Sequence, residues 1–257
     1  MFRILLLALA LSASARAEEL RVGMDTRTPP WSFVPGVDYA GDDLTKDPAP
    51  SEAQLKAVQG IDVDVAHALA RHLRATLRIV PVAWFDQEQG LVAKRYDAIV
   101  GAWTPNPRTP PEIVASSPYY GWGLQIAVRA DNQKVKSYAD LAGARIGHYR
   151  DAAAERTVGS LAAGSLASFD SQEVMFDELK AGKLAAVLFD SPYVLWRVAR
   201  DKELRAVGAP LNRLGYHVGV RKEDKALFDR LEAAVKAIVA AGDVAKIQRK
   251  WEGAPAP

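Results

Sequence analysis

Asp190 closes the apolar run Val187-Leu188-Phe189 and is followed by Ser191-Pro192. A carboxylate at the end of a predicted strand, facing a cleft, suits pairing with a cation. The same residue before Ser and Pro also reads as the N-cap of a new helix, and the two roles are compatible. A second chemical group is aromatic: Trp31, Phe33, Trp103, Tyr119, Trp122, Tyr149 and Tyr193 all fall near predicted strand ends. Such rings can sandwich an apolar or planar ligand, or simply pack. Trp31, just after the strand-ending turn Thr28-Pro29-Pro30, and Trp103 are the leading candidates. Nucleophilic and metal chemistry is poorly supplied. The chain has no Cys, which excludes disulfides, thiolate metal sites and cysteine nucleophiles. Of His67, His72, His148 and His217, only His148 is expected beside a cleft, and no carboxylate or nucleophile stands at an interpretable spacing from it. Gly-x-Ser-x-Gly, HExxH and Walker-type patterns are absent. Asp38, Asp42, Asp43 and Asp47 match no calcium-loop spacing and read as a solvated acidic loop.

The elements that position these groups follow from the pattern of the 257-residue chain, 49% hydrophobic and 25% charged. That composition is globular, and the length suits two modest domains. Arg3, the apolar run Ile4 to Leu11 and Ala15-Arg16-Ala17 form a signal-peptide pattern over residues 1–17. The run is far short of the roughly twenty residues needed to span a bilayer. Removing Arg3 and Arg16 from 33 basic residues leaves 31, against 31 acidic ones. This balance argues against a nucleic-acid partner.

Leu20 to Met24 alternates as a strand. Residues 34–59 read as an insertion with a short helix around Ser51 to Val58. Ile61, Val65, Leu69 and Leu73 then mark one face of a helix. Strand Leu77 to Val82, short helix Phe85 to Ala93 and buried strand Asp97 to Val100 follow. After Pro118-Tyr119-Tyr120 the cycle restarts: strand LQIAVR, helix Ser137 to Ala142, strand RIGHY, helix from Asp151, a strand near Ser168, helix EVMFDELKAGK and strand AAVLFD. A strand over GYHVGVR and helices through Leu227, Leu231, Val235 and Ile238 close the chain. Alternation of this kind predicts an α/β fold with mostly parallel sheet, in two units with a cleft between them.

Six segments in this order, LRVGMDTRTPPWSFV, GIDVDVAHALARHL, RYDAIVGAW, SSPYY, ELKAGKLAAVLFDSP and VGVRKED with the helices after it, resemble the extracellular solute-binding protein family 3, the periplasmic binding proteins of polar amino-acid ABC transporters. The resemblance covers nearly all of the mature chain. It implies a type II two-lobed periplasmic binding protein with two hinge strands. Lobe 1 would comprise residues 18–122 and 215–257, and lobe 2 residues 123–214.

The resemblance also implies roles for single residues. Asp190 stands at the position that takes a ligand's α-ammonium. An arginine after the DAI strand would grip the α-carboxylate in a bidentate fork. Arg108 is the available arginine, yet gapless counting from Asp97 or from Tyr119 puts that position on Thr109. The hydroxyl and backbone site reads Gly101-Ala102-Trp103-Thr104, so Ala102 offers backbone and Thr104 the remaining hydroxyl. In lobe 2, Asp151-Ala152-Ala153 after Tyr149-Arg150 replaces a Gly-Thr-Thr helix start, whose amides would hold an anion. Thr28 replaces an aromatic platform, with Trp31 following.

The function implied is capture of a small, amino-acid-like ligand by hinge closure and its delivery to an inner-membrane ABC permease, by a monomer without cofactor, metal or catalytic residues. A free-standing periplasmic accessory or sensor protein, for example a partner of a periplasmic dehydrogenase, and a cyclohexadienyl-dehydratase-like enzyme are the alternatives.

Overall fold

The computed structural model describes residues 18–37, 50–149 and 165–253. The predicted signal segment, the aspartate-rich loop and the helix expected from Asp151, with Ala153 in it, lie outside the described residues. Two five-stranded sheets organise the chain. The first has the order β4 (Thr76–Pro81), β1 (Glu19–Met24), β5 (Ala98–Ile99), β14 (Gly219–Arg221), β6 (Ile113–Ala115). The second has the order β10 (Ser165–Phe169), β9 (Arg145–Tyr149), β11 (Ala186–Asp190), β8 (Leu124–Arg129), β12 (Leu204–Val207). Between the sheets run β7 (Tyr120–Trp122) and β13 (Leu214–Tyr216), antiparallel, with Trp122 opposite Leu214 and Tyr120 opposite Tyr216. A short hairpin of β2 (Arg27–Thr28) and β3 (Ser32–Phe33) precedes the first helix. The chain is thus the two-lobed α/β protein that the sequence predicts.

In each sheet one strand opposes the others. β14 pairs antiparallel with β5 and β6, and β8 with β11 and β12. Each of these reversed strands follows directly on a strand of the two-stranded ribbon, so the chain enters either sheet from the ribbon against its grain. The run GYHVGVR, predicted as one strand, is therefore two strands in different sheets. His217 and Val218 separate them: the His217 N–H donates to the Trp103 carbonyl at 2.9 Å, and the Val218 N–H to Ser116 Oγ at 2.9 Å.

The helix Ile61–Leu73 buries Ile61, Val65, Ala66 and Leu69 against the first sheet. Each fully buried aliphatic side chain contributes roughly 1.5 to 3 kcal/mol. Gly60 begins it at φ 144°, and a Cβ there would stand 2.1 Å from the Trp31 carbonyl oxygen. Only glycine suits that position. The helix Lys225–Ala240 buries Leu231, Ala234, Val235 and Ile238 and packs on the helix Ile61–Leu73. The last helix, Asp243–Glu252, is pinned by Trp251 Nε1, which donates to Asp64 Oδ2 at 2.8 Å. It also packs on the helix Ser191–Val198 that leaves the second sheet. Ser137 to Ala142, predicted as a helix, makes only a 3-10 turn over Tyr138–Leu141, because the Asp140 carboxylate folds back onto Ser137 and closes a single turn.

Candidate ligand cleft

The carboxyl ends of β1, β5, β9 and β11 meet where the lobes face each other, the usual place for a ligand on open α/β sheets. Trp31 crosses the junction. The helix that starts at Ile61 holds its backbone: the Ile61 N–H donates to the Pro30 carbonyl and the Asp62 N–H to the Trp31 carbonyl, both at 2.9 Å. The indole is 4% exposed, stacks on Tyr193 of the second lobe at 6.1 Å between centroids and meets the edge of Phe189 at 6.3 Å. Tyr149, at the end of β9, lies edge-on to Phe189 at 5.7 Å. Among the predicted aromatics, Trp31, Tyr149 and Tyr193 come together here.

Trp31 Nε1 donates to the Tyr216 hydroxyl at 3.2 Å, and that hydroxyl donates to Asp190 Oδ2 at 3.0 Å. Asp190 stands at the N-cap of the helix Ser191–Val198, with Pro192 in its first turn, yet its side chain makes no capping bond. The carboxylate faces the ribbon instead. Tyr216 is fully buried, and burial, then the Asp190 and Asp62 charges, hold its phenol well above the ordinary range. It is stacked on Trp122 at 5.3 Å and on Tyr120 at 5.9 Å.

The loop after β5 is built on a buried carboxyl. Ala102 adopts φ 49°, in the left-handed region, and its N–H donates to Asp62 Oδ2 at 2.8 Å. Tyr119 donates its hydroxyl to Asp62 Oδ1, also at 2.8 Å. Burial pushes the Asp62 carboxyl up to about 7, opposed by these two bonds. Thr104 Oγ1 donates to the Gly215 carbonyl at 2.9 Å and accepts from Trp122 Nε1 at 3.2 Å, so the hydroxyl ties the loop to both ribbon strands. Trp103 is 5% exposed and packs in the core with Val82, Leu91, Tyr96 and Ile99.

Further along the loop, Arg108 is exposed and its backbone N–H donates to Asn106 Oδ1 at 2.9 Å. The structure does not bring its guanidinium into the aromatic group. Thr109 turns inward, and its hydroxyl donates to Glu88 Oε1 at 2.8 Å. Trp103 Nε1 donates to the same oxygen at 2.9 Å. Beside Glu88, the buried Gln87 donates from Nε2 to the Gly101 carbonyl at 3.1 Å. Under β1, Asp25 accepts from the backbone N–H groups of Arg27 and Trp84, each at 3.1 Å, and burial still raises its carboxyl above the ordinary range, against Arg27.

Sequence reasoning missed Asp62, Tyr216, Glu88 and Gln87. Asp62, like Asp64, stands in the first turn of its helix, where an acidic residue is ordinary, so its burial was not marked in the sequence. Tyr216 stood in a run read as a single strand, so its place between the lobes was hidden. His148 is buried within β9, with Nδ1 3.0 Å from the Tyr149 carbonyl oxygen. No cluster of three metal-ligating side chains occurs among the described residues, and no described helix is long and apolar enough to cross a membrane.

A two-lobed α/β fold with aromatic side chains and a carboxylate meeting at the hinge defines the class of hinged ligand-binding proteins. Residues 41–254 match the bacterial extracellular solute-binding proteins, family 3, and the chain belongs to that family. It is 24% identical over 253 residues to ABC transporter arginine-binding protein 1 of Escherichia coli, covering 96% of each chain. The L-cystine-binding protein TcyJ of the same species is 25% identical over 242 residues, covering 91% of this chain and 83% of that one. An ancestral arginine-binding protein solved with arginine bound superimposes with a TM-score of 0.68 at 26% identity, over 91% of this chain and 97% of its own.

Proposed function

We propose that the protein captures a small, positively charged or zwitterionic amino compound between its lobes by hinge closure and delivers it to an ABC permease. The lobes divide at the ribbon, residues 18–122 with 215–257 against 123–214, and closure turns on β7 and β13. The observation that carries this reading is the run of hydrogen bonds from Trp31 through Tyr216 to Asp190, which gathers both lobes and the ribbon around one carboxylate. Cation recognition by a carboxylate beside aromatic faces accounts for that set of groups. Arginine-, cystine- and histidine-binding proteins among the relatives support an amino compound as the ligand.

Asp190, Trp31, Tyr149 and the loop residues Ala102 and Thr104 are the ligand-binding residues in this reading, Ala102 and Thr104 by shaping the loop. Trp103 braces it from the core. A leader over residues 1–17 exports the chain to the periplasm, where it works as a monomer. The chain binds its ligand without chemistry; turnover of prephenate or arogenate by the purified protein would establish the dehydratase alternative. Calorimetric titration of the mature protein with basic amino acids and amines tests the proposal. One site per chain is expected, and no binding across that set rejects it.

A further inference from the structure

We infer that the helix Ser191–Val198 and the last turn of the helix Asp243–Glu252 form a latch between the lobes, and that Trp196 and Arg200 are positioning residues that raise ligand affinity by holding the lobes together. The inference rests on the solute-binding reading above and deepens it. Tyr193 and Trp196 share one face of their helix, and Arg200 follows a turn later. Each meets a group of the first lobe. Tyr193 stacks on Trp31 at 6.1 Å, Trp196 meets the edge of Phe33 at 6.5 Å, and Arg200 Nη1 donates to the Trp251 carbonyl at 3.4 Å. The Arg200 guanidinium also lies over the Trp196 ring at 5.0 Å and donates to the Trp196 carbonyl at 3.1 Å, which aims it at Trp251.

Each side of this contact is fixed to its own lobe. In the first, Phe33 exchanges backbone hydrogen bonds with Gln59, at 2.8 and 2.9 Å, and meets Trp251 edge-on at 5.8 Å. Trp251 is buried and donates from Nε1 to Asp64, which Lys250 Nζ also reaches at 2.7 Å. In the second, Tyr193 is buried against Phe176 and Phe189, at 5.3 and 5.1 Å between centroids. The ribbon joins in, since Tyr120 donates its hydroxyl to Glu252 in the same last turn. A rotation about β7 and β13 that parts Trp31 from Tyr193 carries Trp196 and Arg200 with it, because the three belong to one helix and the turn after it. Packed contacts of this kind switch as a set rather than stretch. The observed affinity is the intrinsic affinity multiplied by the fraction of molecules with the lobes together, so contacts outside the ligand site govern it.

The test uses the mature protein, whose sequence has no cysteine, so spin labels on Lys134→Cys and Lys222→Cys, both exposed and one in each lobe, report a single interlobe distance. Measured by pulsed electron resonance without added ligand, Trp196→Ala and Arg200→Ala are expected to displace the distance distribution from that of the labelled wild type. Trp196→Phe keeps a ring for Phe33 and should leave it in place. Calorimetric titration with arginine should show the two alanine variants weaker by about two- to tenfold, the contribution of one aromatic pair or hydrogen bond. Superimposable distance distributions in both alanine variants overturn the inference. So does unchanged or tighter binding of arginine in both, since the contacts would then be neutral or oppose the binding arrangement. Absence of arginine binding in the wild type counts against the ligand class proposed above, and the distances still decide the latch. Arg200 is exposed, so its variant keeps the test in force should Trp196→Ala fail to fold.

Discussion

The Tyr216 hydroxyl donates to Asp190 Oδ2 at 3.0 Å, so a strand of the ribbon between the lobes holds the carboxylate that ends β11. The Tyr216 hydroxyl oxygen also accepts the Trp31 indole N–H, which makes one phenol the meeting point of three parts of the chain. Tyr216→Phe keeps the stacking on Trp122 and Tyr120 but leaves two partners short of a bond. A loss of about 1 to 3 kcal/mol in urea unfolding is expected, the cost of stranding buried polar groups. Unchanged stability would mean that the relay carries no weight in the fold.

Asp62 makes stability depend on pH. Its carboxyl titrates near 7 when folded, above the ordinary 3.8, because it is fully buried. The folded state therefore binds this proton more tightly than the unfolded one. The resulting stability is complete below about pH 3.8 and is lost as pH rises through about 7, with a slope of at most about 1.4 kcal/mol per pH unit between those limits. Asp62→Asn retains an acceptor for the Ala102 N–H and removes the titration. The difference in unfolding free energy between wild type and Asp62→Asn, followed from pH 4 to pH 8, should move in favour of the variant as pH rises. A flat difference curve would show that the carboxyl titrates elsewhere.

Arg108 and Thr109 are adjacent and should behave oppositely. Arg108→Ala, an exposed change, is expected to stay within about 0.5 kcal/mol in stability and about twofold in affinity for arginine or agmatine. Thr109→Val cuts the bond to Glu88 and should cost about 0.5 to 1.5 kcal/mol in chemical denaturation. Reduced affinity in Arg108→Ala would place the guanidinium in the cleft after all.

Much of the fold was legible because its signals are local. The face Ile61, Val65, Leu69 of the first long helix, the strand LQIAVR and the restart of the α/β cycle after Tyr120 each rest on periodicity within a short window. The candidate site was legible only in part. Asp190 and Trp31 could be named from strand ends and turn residues, but what they touch depends on partners 26 and 185 residues away in sequence. Tyr216 was hidden because a period-two pattern cannot reveal that a strand changes sheets between Tyr216 and Gly219. Nothing in the sequence singled out Glu88, since its tie to Trp103 and Thr109 arises from a loop whose path proline spacing does not determine. Ser137 to Ala142 was expected to form a helix and makes a single 3-10 turn, since the Asp140 carboxylate closes that turn on Ser137, a side-chain contact that periodicity does not report.

Calorimetry of wild type and Asp190→Asn with agmatine and with arginine addresses the central claim, that the cleft captures a cation on Asp190. Asparagine preserves the shape of the side chain and an acceptor for Tyr216, so the fold should survive, as a melting curve would show. The account predicts one bound ligand per wild-type chain and an affinity lower by about 2 to 5 kcal/mol in the variant, some 30-fold to several thousand-fold, the cost of removing one partner from a buried charge pair. Wild-type affinity in a folded Asp190→Asn protein would contradict it.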